Sequence, residues 1–360
     1  MALYIGLMSG TSLDGVDAVL FDGGAVLGHV HAPFPAALRD ELLALNAPGP
    51  NELHRAALAA NGVARSYADV TAQLLEATGT RRDQITALGA HGQTVRHRPD
   101  GPDGYTTQLL NGALLAEQSG IDVICDLRSR DVAAGGQGAP LVPAFHRAFF
   151  GAAGRNVAAL NLGGIANLSL LFADGRTGGF DTGPANCLMD GWIARHRGQA
   201  FDAGGAWAAS GQVLPGLLAA LLAEPFLALP PPKSTGRDLF HLKWLDARLT
   251  PGQAPADVQA TLLELTARSV ADALRAQMPD AAALIACGGG ARNGRLMQRL
   301  AELLPGIAIE SSAAHGLPVD QVEAAAFAWL AQCFKEKRPG NLPAVTGAAG
   351  LRILGALYPA

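Results

Sequence analysis

The chain has 360 residues, of which 49% are hydrophobic and 16% charged, and its formal net charge is −4. This length favours two domains, and the weak charge gives no support for binding nucleic acid or an anionic membrane. The four cysteines are widely separated and include no C-x-x-C pair, which is typical of a reducing compartment and predicts a cytoplasmic protein. No stretch is apolar enough to predict a membrane-spanning helix.

The first third of the chain begins with predicted strands and continues with helices. Apolar runs separated by glycine turns predict strands at 3–10, 16–21 and 25–32. Helices are predicted at 36–45 and 51–78, the second because apolar residues recur at helical spacing. The next predicted elements are a strand at 85–91, a loop to 104, a helix at 111–120 and a strand at 122–126.

The same order of elements begins again after a glycine-rich loop at 135–140, which predicts a domain boundary. Strands at 157–161, 168–172 and 178–181 are joined by short turns, so a strand–turn–strand–turn–strand unit occurs twice. The remaining predictions are a helix at 187–197, an irregular stretch at 198–255, a helix at 257–277, a strand at 284–287, helices at 292–303 and 319–334, and a loop from 339 with a short helix at its end.

Two similar halves predict two α/β domains that face each other across a central cleft. We place them at 1–134 and 135–345, with 346–360 able to return to the first domain. In α/β sheets, ligands bind at the strand ends where two such units meet. Functional residues are therefore expected in the turns that follow the strands.

The turn at 9–15 is rich in residues that suit a phosphate. It contains two glycines, three hydroxyl side chains and Asp14, and Asp17 follows closely. Backbone N–H groups and hydroxyls of such a turn can point at a phosphate, and the two carboxylates can hold a metal ion through water. The sequence has no G-x-x-x-x-G-K-[ST] motif and no lysine before Lys233, which excludes the usual phosphate loop. An ordinary hairpin turn has a similar composition, so both interpretations stay open.

Two more glycine turns follow apolar strands, one at Gly163 and Gly164 and one at 288–290. A strand that enters three glycines and then a helix brings a helix N terminus close to a phosphate or an adenine ring. The arrangement differs from the dinucleotide motif G-x-G-x-x-G. Each turn alone is weak support, but three of them together favour a protein that binds phosphates.

Asp181 stands at the end of a predicted strand, before a Thr-Gly-Pro turn. A carboxylate in this position can face a cleft and take a proton from an attacking hydroxyl or water. It can also cap the helix predicted near 187, which is the structural alternative. The sequence contains no H-E-x-x-H motif, no cysteine–histidine cluster and no G-x-S-x-G motif, which disfavours zinc and hydrolase-triad chemistry.

Three further residues are candidates for binding a polar substrate. His91 ends a strand two positions before Gln93, although a single histidine is more often structural. Arg128 lies in a polar loop at 126–131 that can bind an anionic or hydroxyl-rich ligand, or can be a salt-bridged surface loop. Glu323 begins an apolar helical stretch and can reach a cleft, although exposure is the default for a carboxylate.

Six segments, in order and spanning almost the whole chain, together resemble the anhydro-N-acetylmuramic acid kinases. They are 6–17 (GLMSGTSLDGVD), 89–94 (GAHGQT), 135–143 (GGQGAPLVP), 161–167 (NLGGIAN), 180–184 (FDTGP) and the helix that begins at Glu323. That family belongs to the sugar kinase, Hsp70 and actin superfamily. The resemblance therefore implies two actin-like, ribonuclease H-like ATPase domains with a central cleft.

The resemblance also implies a reaction. Water and ATP open 1,6-anhydro-N-acetylmuramic acid and phosphorylate its O6, giving N-acetylmuramic acid 6-phosphate and ADP in peptidoglycan recycling. Asp181 would activate the water, His91, Arg128 and Glu323 would bind the sugar, and Asp14 and Asp17 would hold Mg²⁺ indirectly. The residues implied to bind ATP are Gly10, Thr11, Ser12, Leu13, Asp14, Gly15, Val16 and Asp17 in the first turn, Asn161, Gly163 and Gly164 in the second, and Gly288, Gly289 and Gly290 near the nucleoside. A cytoplasmic homodimer is implied as well.

The sequence departs from these relatives at three positions. Many members of the superfamily carry aspartate in the first and second phosphate turns, where this chain has Met8 and Asn161. Asp14 or Asp17 can compensate for the first of these. The family motif that follows Asp181 usually reads Thr-Gly-Pro-Gly-Asn, and Ala185 replaces its second glycine. An alanine there is costly if the position needs a positive φ.

Two other function classes stay open. In a different ATP-dependent sugar or small-acid kinase on the same fold, Asp181 would deprotonate a substrate hydroxyl instead of water. A nucleotide-binding module of the actin or chaperone kind would bind ATP without catalysis.

Overall fold

The computed structural model describes residues 2–10, 13–236 and 238–360. Its internal contacts divide the chain into two compact units. The first unit contains residues 1–145 and 321–360, and the second contains residues 146–320. These limits differ from the predicted boundaries after 134 and after 345, because the long helix that follows residue 321 packs with the first unit.

Strands and helices follow one another in short runs along the chain. The strands are β1 (Leu3–Met8), β2 (Val16–Phe21), β3 (Val26–Ala32), β4 (Ile85–Ala90), β5 (Gln93–Arg98), β6 (Tyr105–Leu109), β7 (Val123–Cys125), β8 (Val157–Leu162), β9 (Ile165–Leu171), β10 (Thr177–Pro184), β11 (Ala283–Cys287), β12 (Ala308–Ser311) and β13 (Ala356–Tyr358). The helices are α1 (Ala36–Ala44), α2 (Glu52–Thr78), α3 (Gly112–Ser119), α4 (Ser129–Val132), α5 (Val142–Phe150), α6 (Asn186–Arg197), α7 (Ala206–Ala209), α8 (Pro215–Leu222), α9 (Pro225–Ala228), α10 (Leu242–Asp246), α11 (Pro255–Gln277), α12 (Gly294–Leu303), α13 (Val322–Lys335) and α14 (Pro343–Thr346). None of the helices in the described ranges combines the length and the apolar run needed to cross a bilayer.

The two units contain sheets of corresponding order and direction. The strand order is β13-β7-β4-β1-β2-β3 in the first unit and β10-β9-β8-β11-β12 in the second. In each, an antiparallel three-stranded meander is extended by two parallel strands, β4 and β7 in the first unit and β11 and β12 in the second. The repeat seen in the sequence is therefore a repeat of topology.

The first meander ends in a row of paired residues. Met8 on β1 lies opposite Asp17 on β2, and Asp17 lies opposite His31 on β3. Paired residues on neighbouring strands present their side chains on the same face of the sheet. Asp17 therefore has Met8 on one side and a histidine on the other, next to the first glycine turn.

Helix α13 packs directly on the sheet of the first unit, and two glycines make this close approach possible. Gly6 on β1 lies opposite Gly89 on β4. A Cβ at Gly6 would lie 2.8 Å from the carbonyl carbon of Ala324, and a Cβ at Gly89 would lie 2.7 Å from the carbonyl carbon of Phe327. The helix therefore takes its position only because both strand positions lack a side chain.

Several elements differ from the sequence-based predictions. The stretch 198–255, predicted as irregular, contains α7, α8, α9 and α10. Strands β5 and β6 form a two-stranded sheet, although a loop was predicted to residue 104 and no element was predicted at 105–109. The sequence did not indicate these strands because they are polar and lack an apolar alternation. The predicted helix at the end of the chain is wrong, because residues 356–358 form strand β13, which pairs with β7.

Candidate active site

Three polar residues lie side by side on neighbouring strands of the second unit. Asn161 on β8 is paired with Asn167 on β9, and Asn167 is paired with Asp181 on β10. Their side chains share one face of the sheet and are partly exposed, whereas Leu168 and Phe180 next to them are buried. This polar row occupies the same position on the second meander as the row that ends the first meander. It gives the second unit a place to contact a polar ligand.

Asp181 is held by a segment that lies 53 positions further along the chain. The Ser234 hydroxyl and the Thr235 backbone N–H both donate to Oδ2 of Asp181, each at 2.9 Å. The backbone N–H of Asp181 donates to the Lys233 carbonyl at 3.1 Å. Burial raises the pKa of the Asp181 carboxyl, while the two donors at Oδ2 and the charge of Lys233 oppose the rise. A fixed orientation and a raised pKa are properties of a general base.

The structural alternative for Asp181, capping of α6, is wrong. Helix α6 begins after Ala185, so the N-cap residue is Ala185 and not Asp181, and Ala185 makes no side-chain capping hydrogen bond. The N–H groups of Ala185 and Asn186 instead donate to the carbonyls of Gly164 and Gly163, each at 3.0 Å. Ala185 has a φ of −112°, so alanine at this position needs no left-handed conformation. The carboxylate of Asp181 is therefore not needed to terminate the helix.

The second and third glycine turns lie together, because they follow the adjacent parallel strands β8 and β11. Gly288 has a φ of +78°, and a Cβ at Gly290 would lie 2.7 Å from the Cβ of Leu162. A side chain at either position would force the turns apart. Gly289 is exposed, with no described atom within 4 Å of its Cβ position. These turns can therefore bring backbone close to a phosphate or a nucleoside.

The first glycine turn is anchored by hydrogen bonds within the first unit. The carbonyl of Gly10 accepts from the Leu13 N–H at 3.2 Å and from Nε2 of Gln93 at 3.0 Å. Leu13 has a φ of +58°, and its buried side chain anchors the turn in the core. Thr11 and Ser12, two of the hydroxyl residues predicted to bind ATP, lie outside the described residues.

Asp14 and Asp17, the carboxylates predicted to hold Mg²⁺, lie in and beside this turn. Asp14 is exposed, and Oδ1 of Asp17 is hydrogen-bonded to Nε2 of His29 at 2.9 Å and to Nδ1 of His31 at 3.1 Å. Within the described residues, no three His, Cys, Asp or Glu side chains converge as a metal-binding group. If Mg²⁺ binds beside this turn, Asp14 and Asp17 are the carboxylates that would contact its water.

His91 connects the first turn to Arg128. Nδ1 of His91 lies 3.2 Å from the Ser9 carbonyl oxygen, and Nε2 accepts from Nε of Arg128 at 3.0 Å. Because arginine only donates, Nε2 is unprotonated and Nδ1 carries the proton. Burial, together with the charge of Arg128, lowers the pKa of His91 to about 3. Both ring nitrogens are engaged inside the protein, so a ligand would reach His91 only by replacing one of these bonds.

The three residues predicted to bind the sugar all lie in the first unit, where Arg128 interacts with both His91 and Glu323. Nη1 of Arg128 donates to the Gly138 carbonyl at 2.8 Å. Burial lowers the pKa of Arg128 to about 10, and the charge of Glu323 opposes this effect. The guanidinium is therefore protonated at neutral pH and is close enough to the Glu323 carboxylate, at the start of α13, to be influenced by its charge.

The loop that contains Arg128 is fixed by a buried carboxylate. Oδ1 of Asp131 accepts from Asn341 Nδ2 at 2.7 Å and from Thr346 Oγ1 at 2.8 Å, and Oδ2 accepts from the Gly138 N–H at 2.8 Å. The loop is therefore anchored inside the protein and is not only a salt-bridged surface loop. Through Asp131, the C-terminal segment of the chain helps to place the carbonyl that Arg128 contacts.

We expect the stability of the protein to fall as the pH drops below about 6.5, in part because of His91. The pKa of His91 is about 3 in the folded protein against an ordinary value of 6.5, so between these values only the unfolded chain binds the proton. Above this pH window, His91 makes its full contribution to the free energy of unfolding. Within the window, that contribution falls by about 1.4 kcal/mol for each unit by which the pH is lowered. Denaturant unfolding of His91→Asn should show a shallower loss between about pH 6 and pH 4. An identical slope in the variant and the wild type would contradict this assignment.

The structure thus brings the predicted residues into two groups, one in each unit. The sequence did not point to Ser234 or Thr235, although both hold Asp181. They belong to a stretch predicted as irregular, and the only local signal is a pair of hydroxyl residues that follows Lys233 and three prolines. Asn167 was also missed as a member of the polar row, because its role depends on the register of β9.

Comparison with known proteins agrees with this architecture. A sequence model of the family described as anhydro-N-acetylmuramic acid kinase matches residues 2–360. Proteins of that name from Variovorax paradoxus (strain S110) and Cupriavidus pinatubonensis are 63% and 56% identical to this chain, over 99% of it and 99% and 98% of their own lengths. Component A of (R)-2-hydroxyglutaryl-CoA dehydratase from Acidaminococcus fermentans shares the fold, with a TM-score of 0.50, 12% identity and coverage of 91% of this chain and 96% of that one. The predicted class of two actin-like α/β domains is confirmed, and the chain belongs to the family of anhydro-N-acetylmuramic acid kinases.

Proposed function

We propose that this chain is an ATP-dependent kinase that opens 1,6-anhydro-N-acetylmuramic acid with water and phosphorylates its O6. The products are N-acetylmuramic acid 6-phosphate and ADP, and the role is the recycling of peptidoglycan. Membership of the family supports the reaction. The observation that carries the proposal is the half-buried carboxylate of Asp181, which is held through one oxygen at the end of the polar row.

Asp181 is the base in this proposal. Ser234 and Thr235 donate to Oδ2, and Oδ1 takes a proton from a water molecule whose oxygen forms a bond to C1 of the sugar. The bond between C1 and the bridging O6 breaks, and O6 attacks the γ-phosphorus as the bond from phosphorus to the ADP oxygen breaks. The raised pKa of Asp181 favours this role, because a stronger base removes the proton more readily.

Each unit supplies residues for the two substrates. In the first unit, residues 10–17 are proposed to contact phosphate, while Arg128 and Glu323 bind the sugar and His91 orients the arginine. The protonated guanidinium of Arg128 suits a sugar that carries a carboxylate. In the second unit, the residues proposed to bind ATP are Asn161, Gly163, Gly164, Gly288, Gly289 and Gly290. Of these, Gly289 is exposed and leaves its backbone accessible.

The proposal includes Mg²⁺, held through water near Asp14 and Asp17. The ion would neutralise charge on the phosphates. We also propose a cytoplasmic homodimer, because the resemblance to the family implies one and because scattered cysteines are typical of a reducing compartment.

The reaction is tested with the anhydro sugar and ATP in water enriched in oxygen-18. We expect ADP release and a product that carries the label on the anomeric oxygen and none on the phosphate. Because a reducing sugar exchanges its anomeric oxygen with water, unlabelled N-acetylmuramic acid 6-phosphate kept in the same water for the same time serves as the control. Label in the enzymatic product must exceed that control at the earliest time point.

Two outcomes would contradict the proposal and favour the other function classes. ADP release with ordinary hexoses or small acids, and none with the anhydro sugar, would favour a different kinase on the same fold. ATP binding without ADP release on any acceptor would favour a nucleotide-binding module without catalysis.

A further inference from the structure

The segment 233–235 contacts Asp181 at three points, although it lies far away in the sequence. The Lys233 carbonyl accepts from the Asp181 backbone N–H, and Ser234 and Thr235 both donate to the side chain. β10 is an edge strand of its sheet, with β9 on one side. The segment 233–235 takes the other side of β10 at this residue. Asp181 is therefore held between a strand and an irregular segment.

The start of this segment is itself anchored. Nζ of Lys233 donates to the carbonyls of Phe226 at 3.1 Å and Leu227 at 2.9 Å, and lies 4.8 Å from the centre of the Phe226 ring. These contacts tie Lys233 to helix α9. Because Lys233 is anchored, the positions of the two donors that follow it are set by the fold of the second unit.

Both side-chain hydrogen bonds reach the same oxygen of Asp181. The Ser234 hydroxyl and the Thr235 N–H converge on Oδ2, and no described residue donates to Oδ1. A carboxylate held through one oxygen cannot rotate without breaking both bonds. The other oxygen then keeps a constant direction and retains its lone pairs for an incoming proton.

We infer that Ser234 is a positioning residue for the reaction, which together with the Thr235 amide holds Asp181 through Oδ2 and assigns Oδ1 as the atom that accepts the proton. The inference rests on the proposed function, in which Asp181 is the base. A hydroxyl that donates to the ionised carboxylate also favours its charged form. Ser234 therefore sets both the direction and the basicity of Asp181.

Few groups compete with Ser234 for control of this carboxylate. The charge of Lys233 on the irregular segment favours the ionised form, and burial opposes it. The facing residue on β9 is Asn167, which is uncharged. A change in the titration of Asp181 on loss of the Ser234 hydroxyl would therefore report this hydrogen bond.

The test compares Ser234→Ala with Ser234→Thr, which keeps a hydroxyl, and with Ser210→Ala as a matched control. Ser210 lies in the same unit and donates to the Trp207 carbonyl at 2.7 Å. We expect the acidic limb of kcat/KM to move up by about 0.5–1 pH unit in Ser234→Ala, with KM for the sugar unchanged. Ser234→Thr should restore the wild-type limb, and Ser210→Ala should not move it.

A second readout does not depend on turnover. In protein with 13C-labelled aspartate carboxyls, the Asp181 signal is assigned by its loss in Asp181→Asn. Its titration should shift upward in Ser234→Ala by the same amount as the kinetic limb. If the Asp181 signal titrates at the same pH in Ser234→Ala as in the wild type, and Asp181→Asn is inactive, the inference about Ser234 is overturned while the proposed function stands. Turnover kept by Asp181→Asn would overturn the proposed function and this inference with it.

Discussion

Asp181→Asn is expected to lower kcat by about three orders of magnitude and to leave ATP binding largely intact. Asparagine has the same shape as aspartate, and its carbonyl oxygen can still accept from Ser234 and Thr235. It cannot take a proton from water, so only the chemical step loses its base. The measurements are kcat from a coupled assay of ADP release and the Kd for ATP from calorimetry.

The matched control for this variant is Asp174→Asn. Asp174 is an exposed residue of the turn between β9 and β10, and it accepts from Nε of Arg176 at 2.7 Å. It has no role in the polar row, so we expect wild-type kcat from Asp174→Asn. Wild-type turnover in Asp181→Asn would remove Asp181 from the mechanism.

The pH dependence of the wild-type enzyme provides a second check on Asp181. A general base must be ionised, so kcat/KM falls as the pH drops through the pKa of that base. Since burial raises the pKa of Asp181, the fall should begin at a higher pH than for an ordinary aspartate. The residual activity of Asp181→Asn should lack this acidic limb.

The elements that the sequence predicts well are those whose buried residues recur regularly. Helix α2, predicted at 51–78, is found at Glu52–Thr78, because Val63, Tyr67, Val70 and Leu74 recur at helical spacing and are all buried. Strand β13 has only three residues and exists through its pairing with β7. A single sequence does not show which distant strand will supply such a partner.

The candidate site also contains features that the sequence indicates and features that it does not. The sequence suggested Asp181 because a carboxylate follows an apolar strand and precedes Thr-Gly-Pro, which was predicted as a turn but continues β10 to Pro184. Its partners Ser234 and Thr235 could not be predicted, because nothing in their own segment indicates that it will lie beside β10. The sequence also suggested His91 as a substrate contact, whereas the structure engages both of its nitrogens within the protein. The residue type was visible in the sequence, whereas the extent of β10 and the long-range hydrogen bonds were not.

Gly89→Ala is expected to destabilise the protein by about 3 kcal/mol or more. The new Cβ would overlap the carbonyl oxygen of Phe327 and would lie 2.7 Å from its carbonyl carbon and 3.0 Å from the Cβ of Ala331. These are backbone and short side-chain atoms of α13, so no flexible group can move aside. The helix must shift from the sheet or the strand must bend, and either change loosens the packing of the first unit. Thermal unfolding should show a melting temperature lower by about 6–12 °C.

Gly216→Ala separates this packing effect from a general effect of replacing glycine. Gly216 is an exposed residue of α8 with no described atom within 4 Å of its Cβ position, and alanine has the higher helix propensity, so Tm should stay unchanged or rise slightly. Gly89→Ala also connects packing with function, because Glu323 lies at the start of the helix that must move. Measured well below its Tm, the variant should therefore show a higher KM for the sugar, since Glu323 would shift relative to Arg128. A wild-type Tm in Gly89→Ala would mean that α13 can leave β4 without loss of stability.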